Sequence, residues 1–381
     1  MDFELPEELR LLKENIRRFV DRELIPLERE VGDDIKLQKE LPRRLRSKVE
    51  ALGLLHYDVP VELGGLGLGM MAKVVVWSEV SRTTSLPARN VNIFGPAVSP
   101  ILYTLEGEAR EKYLLPVISG EKNSCFAQTE ADAGSDPAAM RTTAVRDGDH
   151  YVINGVKRFI TNADEADFAQ VFAVTDPEKR ARGGITGFLV DMDTPGVKVT
   201  ASYDLMVQDK PCEIVFDNAR VPVKNRIGQE GEGFKHAQSW INSGRIRHGA
   251  RSLGVIERCL ELATAYAKQR KTFGAPLAER QSVQWPLTDM YMDAHKLRLM
   301  LYYAAWKYDR GEDCREDAFM VKIFGDERSF WAADRCMAIH GGIGLSKELP
   351  IERFFRDQRS MMITEGAVEV LRMALARMIL R

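Results

Sequence analysis

Hydroxyl, acidic and glycine residues follow one another between positions 125 and 136. The segment reads Cys-Phe-Ala-Gln-Thr-Glu-Ala-Asp-Ala-Gly-Ser-Asp, with Thr129 and Ser135 as its hydroxyls. Hydroxyls and main-chain N–H groups at a glycine turn could donate hydrogen bonds to a pyrophosphate and to a ring that gains negative charge on reduction. Taken alone, the same residues also fit a capped turn, with Ser135 or Asp136 as the cap.

A single glutamate near the carboxyl terminus could act as a base. Glu365 follows the apolar pair Met362 and Ile363 and precedes Gly366, where a main chain can approach a ligand closely. A carboxylate in an apolar cleft gains basicity by desolvation, which the removal of an α-proton demands. On local evidence alone, Glu365 is an ordinary solvated helix residue.

Two further segments could bind an anionic ligand. Arg270 and Phe273 follow an apolar helix, with Gln281 just beyond, and a guanidinium matches phosphate geometry. The other segment, His340-Gly-Gly-Ile-Gly344, has a glycine-rich sequence. Each segment also fits a helix end and its loop.

The residue patterns predict a helical, then a β, then a helical region. Apolar residues recur at helical spacing from Leu9 to Leu24, and again from Leu287 to Tyr308, where Gly311 closes the seam. Short β-branched and aromatic runs lie between them, with hairpin-type turns at 147–149 and 154–155. We predict an α+β, mainly α fold with an antiparallel sheet and domains at 1–122, 123–228 and 229–381.

The composition excludes several classes of protein. The net charge of -2 gives no general drive toward nucleic acid or anionic membranes. Five scattered cysteines suit reduced thiols, and neither CxxC nor HxxxH occurs, so we expect no metal site. The sequence contains no uninterrupted stretch of ~20 apolar residues, so we expect no membrane span. The acidic start lacks signal-peptide character, so we expect a cytoplasmic protein, although a processed organellar form would look the same.

Taken together, these segments resemble the acyl-CoA dehydrogenase family over essentially the whole chain. The resemblance rests on the Thr129-Glu130 to Ser135-Asp136 motif, the Arg270–Gly274 segment and Glu365-Gly366, in that order. It implies noncovalent FAD. The residues that match the family's cofactor positions are Phe126, Ala127, Gln128, Thr129, Ser135, Phe159, Ile160, Thr161, Arg270, Phe273, Gln281, Gly341 and Gly342.

The resemblance also implies a reaction and partners. Glu365 matches the base that removes the α-proton of an acyl-CoA thioester while the β-hydride passes to flavin N5. Ser135, Asn242, Arg245 and Gly366 match substrate-binding positions. Arg270, Phe273 and Gln281 match residues that reach the FAD of a neighbouring subunit, which implies a homodimer or homotetramer. Electrons would pass to an electron-transfer flavoprotein.

The chain departs from the family pattern at three positions. Ala367 replaces a hydroxyl residue that contacts FAD, Ala338 replaces a glutamine, and Phe159 replaces the tryptophan of the flavin-stacking strand. These changes predict a divergent subfamily with weaker cofactor contacts. Some family members carry the base just before the arginine that matches Arg245, but Gly244 occupies that position here.

Two alternatives share this fold. An acyl-CoA reductase, an oxidase or a flavin-dependent monooxygenase would use many of the same residues, although Glu365 favours α-proton chemistry over oxygenation. A non-catalytic binding protein, including a DNA-binding one, would need a strongly basic surface, which this slightly acidic chain lacks.

Overall fold

A computed structural model describes residues 4–87 and 92–380. The chain forms two compact units. The first comprises Met1–Phe94 and Asn242–Arg381, and the second comprises Gly95–Ile241. The boundary between them at 241/242 falls inside one long helix, Gly233–Gln269.

The α-helices of the described residues are numbered here in chain order. They are α1 (Glu7–Phe19), α2 (Glu28–Val31), α3 (Ile35–Arg44), α4 (Arg46–Ala51), α5 (Met70–Val80), α6 (Gly107–Ala109), α7 (Leu115–Ser119), α8 (Gly233–Gln269), α9 (Gln281–Asp309), α10 (Arg315–His340), α11 (Ile351–Met361) and α12 (Val368–Ile379). A π-helical turn, Val20–Leu24, prolongs α1 before Pro26, so the predicted first helix is interrupted rather than regular.

The core of the first unit is built by the long helices. Ile246 and Ala250 of α8, Leu297 and Leu301 of α9 and Val321 of α10 belong to one buried cluster. Burying each large aliphatic side chain contributes roughly 1.5–3 kcal/mol, so this cluster fixes the helices that carry the polar residues described below.

The predicted seam of α9 is present, but not every residue assigned to packing is buried. Met290 is fully buried, whereas Tyr308 is 36% exposed. A second row of apolar side chains, Trp285, Met292, Leu299 and Trp306, lies on the exposed side of α9.

The second unit contains a mixed sheet. Its strands are β1 (Ser124–Ala127), β2 (Thr143–Asp147), β3 (His150–Ile160), β4 (Phe168–Val174), β5 (Ile185–Asp191), β6 (Val197–Ser202), β7 (Cys212–Pro222) and β8 (Arg226–Ile227). The order is β6-β7-β3-β2-β4-β5-β8, with β1 paired to β4. A separate hairpin, β9 (Lys271–Thr272) with β10 (Ala275–Pro276), belongs to the first unit.

Most neighbouring strands are antiparallel, as in the register His150 opposite Pro222. Two pairings are parallel: β1 with β4, and β2 with β4. The turn predicted at 147–149 is present between β2 and β3, but the one predicted at 154–155 is wrong. Gly155 lies within β3, at a shift of register. A Cβ there would lie 2.7 Å from the Thr142 Cα, so this point of the strand requires glycine. A glycine bulge and a hairpin turn share the same Asn-Gly signature.

The predicted fold class is confirmed: along the chain, helices precede and follow a mixed sheet, and solved structures of the same fold match it. The division into three domains stays a prediction. Among the described residues, no helix combines the length and apolar character needed to cross a membrane.

Candidate active site

Glu365 lies in a strained turn of the first unit. It follows the end of α11 at Met361 and has a φ of +55°, and Gly366 follows with a φ of +102°. A left-handed backbone at a residue other than glycine costs of order 1–3 kcal/mol and persists only where its surroundings enforce it. The turn thereby aims the Glu365 side chain at α8.

The two oxygens of the Glu365 carboxylate have different surroundings. Arg247 Nη2 donates to Oε1 at 2.8 Å, and His248 Nε2 lies 3.6 Å from the same oxygen. The other oxygen, Oε2, is buried and accepts no hydrogen bond from any residue in the described part of the chain. One oxygen is therefore anchored, and the other is available to accept a proton.

A second set of buried polar residues supports His248. Its Nδ1 lies 3.3 Å from Asp326 Oδ2 on α10, and Lys322 Nζ lies 2.7 Å from the same oxygen. Ser252 donates to the other Asp326 oxygen at 3.1 Å. Lys322 and Asp326 are both fully buried. Because unpaired buried charges are costly, this network fixes the ring of His248 beside the carboxylate.

The surroundings of Glu365 differ from the predicted apolar cleft. Burial alone raises the pKa of the Glu365 carboxyl, but the charges and hydrogen bonds of Arg247 and His248 lower it by more, so the pKa lies well below its usual range. Ile363, which the sequence suggested as a wall of the cleft, is 59% exposed. The predicted desolvation is therefore present, but Arg247 and His248, which the sequence did not indicate, outweigh it.

Glycine at position 244 makes room for the carboxylate. A Cβ built on Gly244 would lie 1.8 Å from Glu365 Oε2 and 2.8 Å from its carboxyl carbon. Two acidic side chains, one from each position, could not occupy this space together. The glycine at 244 and the glutamate at 365 are sterically complementary.

Arg245, one of the predicted substrate-binding residues, fixes the turn. Its Nε donates to the Glu365 carbonyl at 3.3 Å, and its Nη1 donates to the Oδ1 of Asn242 at 2.9 Å. The guanidinium lies 4.8 Å from the ring centre of Phe319. Burial lowers the pKa of Arg245 to about 10, although Glu365 opposes the shift. The structure thus places Asn242, Arg245, Glu365 and Gly366 together in the first unit.

The predicted cofactor residues of the second unit lie along β1, the loop after it and the end of β3. Arg158 N–H donates to the Thr129 carbonyl at 2.8 Å, which joins the loop to β3 next to Phe159. Phe159 has a φ of +55° and is 50% exposed, at a register shift before Ile160. The ring of Phe126 stacks on Trp240 at 4.2 Å. Ala127, Gln128 and Ile160 are buried.

The remaining predicted cofactor residues belong to the first unit. They are Arg270 after α8, Phe273 in the β9–β10 hairpin, Gln281 at the start of α9, and Gly341 and Gly342 after α10, and all five are exposed. Phe273 is 99% exposed. None of them contacts Glu365 through any hydrogen bond within the described residues.

Sequence reasoning missed Arg247, His248, Lys322 and Asp326. A signal was present, because Arg247 and His248 interrupt a helix whose other residues include Ile246 and Ala250, and Lys322 and Asp326 are spaced four apart. Charged pairs at that spacing are usually surface features, so the pattern alone does not indicate a buried network.

Comparison with known proteins agrees with the fold. Residues 6–121, 125–219 and 231–380 match the N-terminal, middle and C-terminal domains of acyl-CoA dehydrogenases. An acyl-CoA dehydrogenase of Bacillus subtilis is 35% identical over 373 residues, covering 97% of both chains. Two solved structures have a TM-score of 0.88 against this chain, and each comparison covers both chains completely. One is butyryl-CoA dehydrogenase of Megasphaera elsdenii, which is 31% identical. The other is a chain from the electron transferring flavoprotein of Acidaminococcus fermentans, which is 32% identical.

These matches define a flavoprotein oxidoreductase that acts on acyl-CoA. The chain belongs to the acyl-CoA dehydrogenase family, whose members depend on FAD.

The donor set of the second unit fits that cofactor. The side-chain hydroxyls of Thr129, Ser135 and Thr161 donate to no residue that the structure describes, and so remain available to a polar ligand. Ala367, one of the three departures from the family pattern, is the N-cap residue of α12 and makes no side-chain hydrogen bond. A serine or threonine at this position would provide a hydroxyl that could form one.

Proposed function

We propose that Glu365 removes the α-proton in the α,β-dehydrogenation of an acyl-CoA thioester. The observation that carries the proposal is the unpartnered Oε2 of a carboxylate whose other oxygen is fixed by Arg247. A proton acceptor needs a free lone pair in a fixed direction, and this arrangement supplies one.

Other groups of the turn would stabilise the reacting thioester. The main-chain N–H of Glu365 donates to no residue in the described ranges, so it could bind the thioester carbonyl as negative charge develops there. Arg245 holds the carbonyl of the same residue, in the peptide group that follows it, and so helps to hold the turn that presents this N–H. Thr129, Ser135 and Thr161 would hold FAD, which supplies the acceptor of the β-hydride when bound.

The electron acceptor separates the candidate reactions. We propose an electron-transfer flavoprotein as the acceptor, since one matched chain comes from the structure of such a protein. Turnover of butyryl-CoA should be fast with a purified electron-transfer flavoprotein and slow with oxygen alone. Hydrogen peroxide formed at an equal rate would instead identify an oxidase, and failure to oxidise any saturated thioester while enoyl-CoA is reduced would identify a reductase.

We propose that the chain acts as a homo-oligomer. An exposed row on α9 repeats every seven residues through Trp285, Met292, Leu299 and Trp306, which are 61%, 45%, 37% and 47% exposed. Apolar residues that recur every seven positions are typical of helix–helix contacts. The exposed Phe273 lies in the hairpin just before this helix.

Replacing both Trp285 and Trp306 by glutamate should therefore dissociate the oligomer, because the row would carry charge instead of apolar surface. Light scattering after size-exclusion chromatography would show a smaller mass, with FAD content falling in parallel. The double variant Glu312→Gln and Glu316→Gln, near the end of α9 and start of α10, serves as a control. An unchanged mass in the tryptophan variant would contradict the proposed contact.

The position of Gly244 gives a further prediction. In Gly244→Ala, the new methyl group would displace the carboxylate of Glu365, because the clash is with the flexible end of that side chain. A displacement of about 1 Å can cost about 10²-fold in rate, so we expect kcat to fall by about that factor while the protein stays folded. Adding Glu365→Asp, which shortens the acid, should restore part of the rate. A fully active Gly244→Ala variant would contradict the assigned geometry.

The lowered pKa of Glu365 predicts how the stability and the activity of the protein depend on pH. Because the folded pKa lies below the unfolded value of about 4.3, the carboxylate contributes stability that is present above that value and is lost as the pH falls. For a neutral thioester, kcat/KM should show no loss from Glu365 protonation down to about pH 5. In Arg247→Met, the acid limb should move to higher pH, because the cation that holds the proton off is gone. A wild-type acid limb near pH 6 that shifts in Glu365→Asp would contradict this account.

A further inference from the structure

Arg247 has donors that its pair with Glu365 does not use. Its Nη2 bonds to Glu365 Oε1, but its Nε is buried and has no partner among the described residues. The Arg247 side chain keeps 21% of its surface exposed. A guanidinium presents its N–H groups in a fixed fork that matches a carboxylate at two points, so Arg247 has capacity for a second anion.

The other cations around the Glu365 carboxylate are already committed. His248 lies against Asp326, and Lys322 is shared between Asp326 and the carbonyl of Met361. Arg245 bonds to the side chain of Asn242 and to the main chain of Glu365. Among the described residues of α8, α10 and the Glu365 turn, Arg247 is therefore the cation best placed to meet a ligand.

The pair also has a cost for catalysis. A carboxylate that an arginine holds as its anion accepts a proton poorly, and a neutral acyl chain offers Arg247 no alternative partner. An acyl chain that carries its own carboxylate would offer one. When that carboxylate binds the N–H groups of Arg247 that Glu365 leaves unused, the guanidinium is shared between two anions, so Glu365 keeps its anchor and becomes the stronger base that α-proton removal requires.

We propose that Arg247 binds a carboxylate on the acyl chain, so that the preferred substrates are CoA thioesters of short dicarboxylic acids. The inference rests on the proposed role of Glu365. The chain must be short because Arg247 bonds directly to the carboxylate that takes the α-proton. Arg247 is thus a specificity-determining residue that acts before any bond is broken.

The test compares thioesters that differ only in charge. Succinyl-CoA and glutaryl-CoA would each be paired with the half-amide of the same acid, which has the same shape and no charge. Dissociation constants would be measured by calorimetry on the FAD-loaded Glu365→Gln protein, where turnover does not interfere. We expect the half-acid to bind at least tenfold more tightly, since hydrogen bonds to charged groups are the strong ones.

Variants of Arg247 make the test specific. Arg247→Met in the same background should bring the ratio of the two dissociation constants close to one, and Arg247→Lys should keep only part of it, because an ammonium lacks the planar fork. Arg335→Met removes an arginine that is 44% exposed on α10 and should leave the ratio unchanged. No preference for the half-acid, or a preference that survives Arg247→Met, would overturn the proposal.

Failure of the inference can be distinguished from failure of the proposed function. If wild-type flavin is reduced by butyryl-CoA but the half-acid and half-amide bind equally, the dehydrogenase stands and the substrate class is wrong. If no thioester reduces the flavin while half-acid binding depends on Arg247, the binding site stands and the reaction is wrong.

Discussion

Replacing Glu365 with glutamine should abolish reduction of the flavin by acyl-CoA while FAD remains bound. Glutamine keeps the size of the side chain but has no lone pair basic enough to take the α-proton. A positioned general base contributes typically 10²–10⁴-fold, so the rate of flavin reduction in a rapid-mixing experiment should fall by about that range. The turn itself should survive, because Arg245 bonds to the main chain of residue 365 and not to its carboxylate.

A matched control lies four residues away. Glu369 is exposed on α12, so Glu369→Gln removes one carboxylate without touching the pair of Glu365 and Arg247. This variant should reduce its flavin at the wild-type rate. A Glu365→Gln protein that kept more than a tenth of the wild-type rate would show that another group removes the proton.

The second large effect is expected from the buried network behind His248. In Lys322→Met, the fully buried Asp326 loses the cation 2.7 Å away, and the carbonyl of Met361 loses its donor. Breaking a buried ion pair by removing one partner costs about 3–5 kcal/mol. We expect a loss of that size in the free energy of unfolding, measured from the denaturant midpoint.

Lys347→Met provides the comparison. Lys347 is 75% exposed and pairs with Asp33 at 2.6 Å, and exposed pairs are worth about 0–1 kcal/mol. Adding Asp326→Leu to Lys322→Met should recover part of the lost stability, because no charge is then left buried without its partner. Equal costs for Lys322→Met and Lys347→Met would contradict a structural role for the network.

Elements with strong local periodicity could be predicted from the sequence. The seam of α9 is visible because its residues recur every three or four positions, and Met290 and Leu297 are buried as that spacing requires. The hairpin between β2 and β3 has its own turn signature. The parallel pairing of β1 with β4 has no such local signal, because the two strands are joined through a long intervening segment.

The identity of the candidate base could be predicted, but its surroundings could not. The motif around Glu365 and Gly366 carries the resemblance that singles the residue out. The pair with Arg247 joins positions 118 residues apart, and nothing in either local sequence reports the other. The prediction of an apolar cleft used only the immediate neighbours Met362 and Ile363. Burial and charge at a site depend on every element packed around it.

The most direct test of the account is an anaerobic absorbance titration of the FAD-loaded protein with acyl-CoA thioesters, followed by mass analysis of the thioester recovered. The account predicts that the flavin band bleaches and that the recovered thioester has lost two hydrogens, in wild type and not in Glu365→Gln. A flavin that stays oxidised with every saturated thioester, or bleaching that persists in Glu365→Gln, would contradict it.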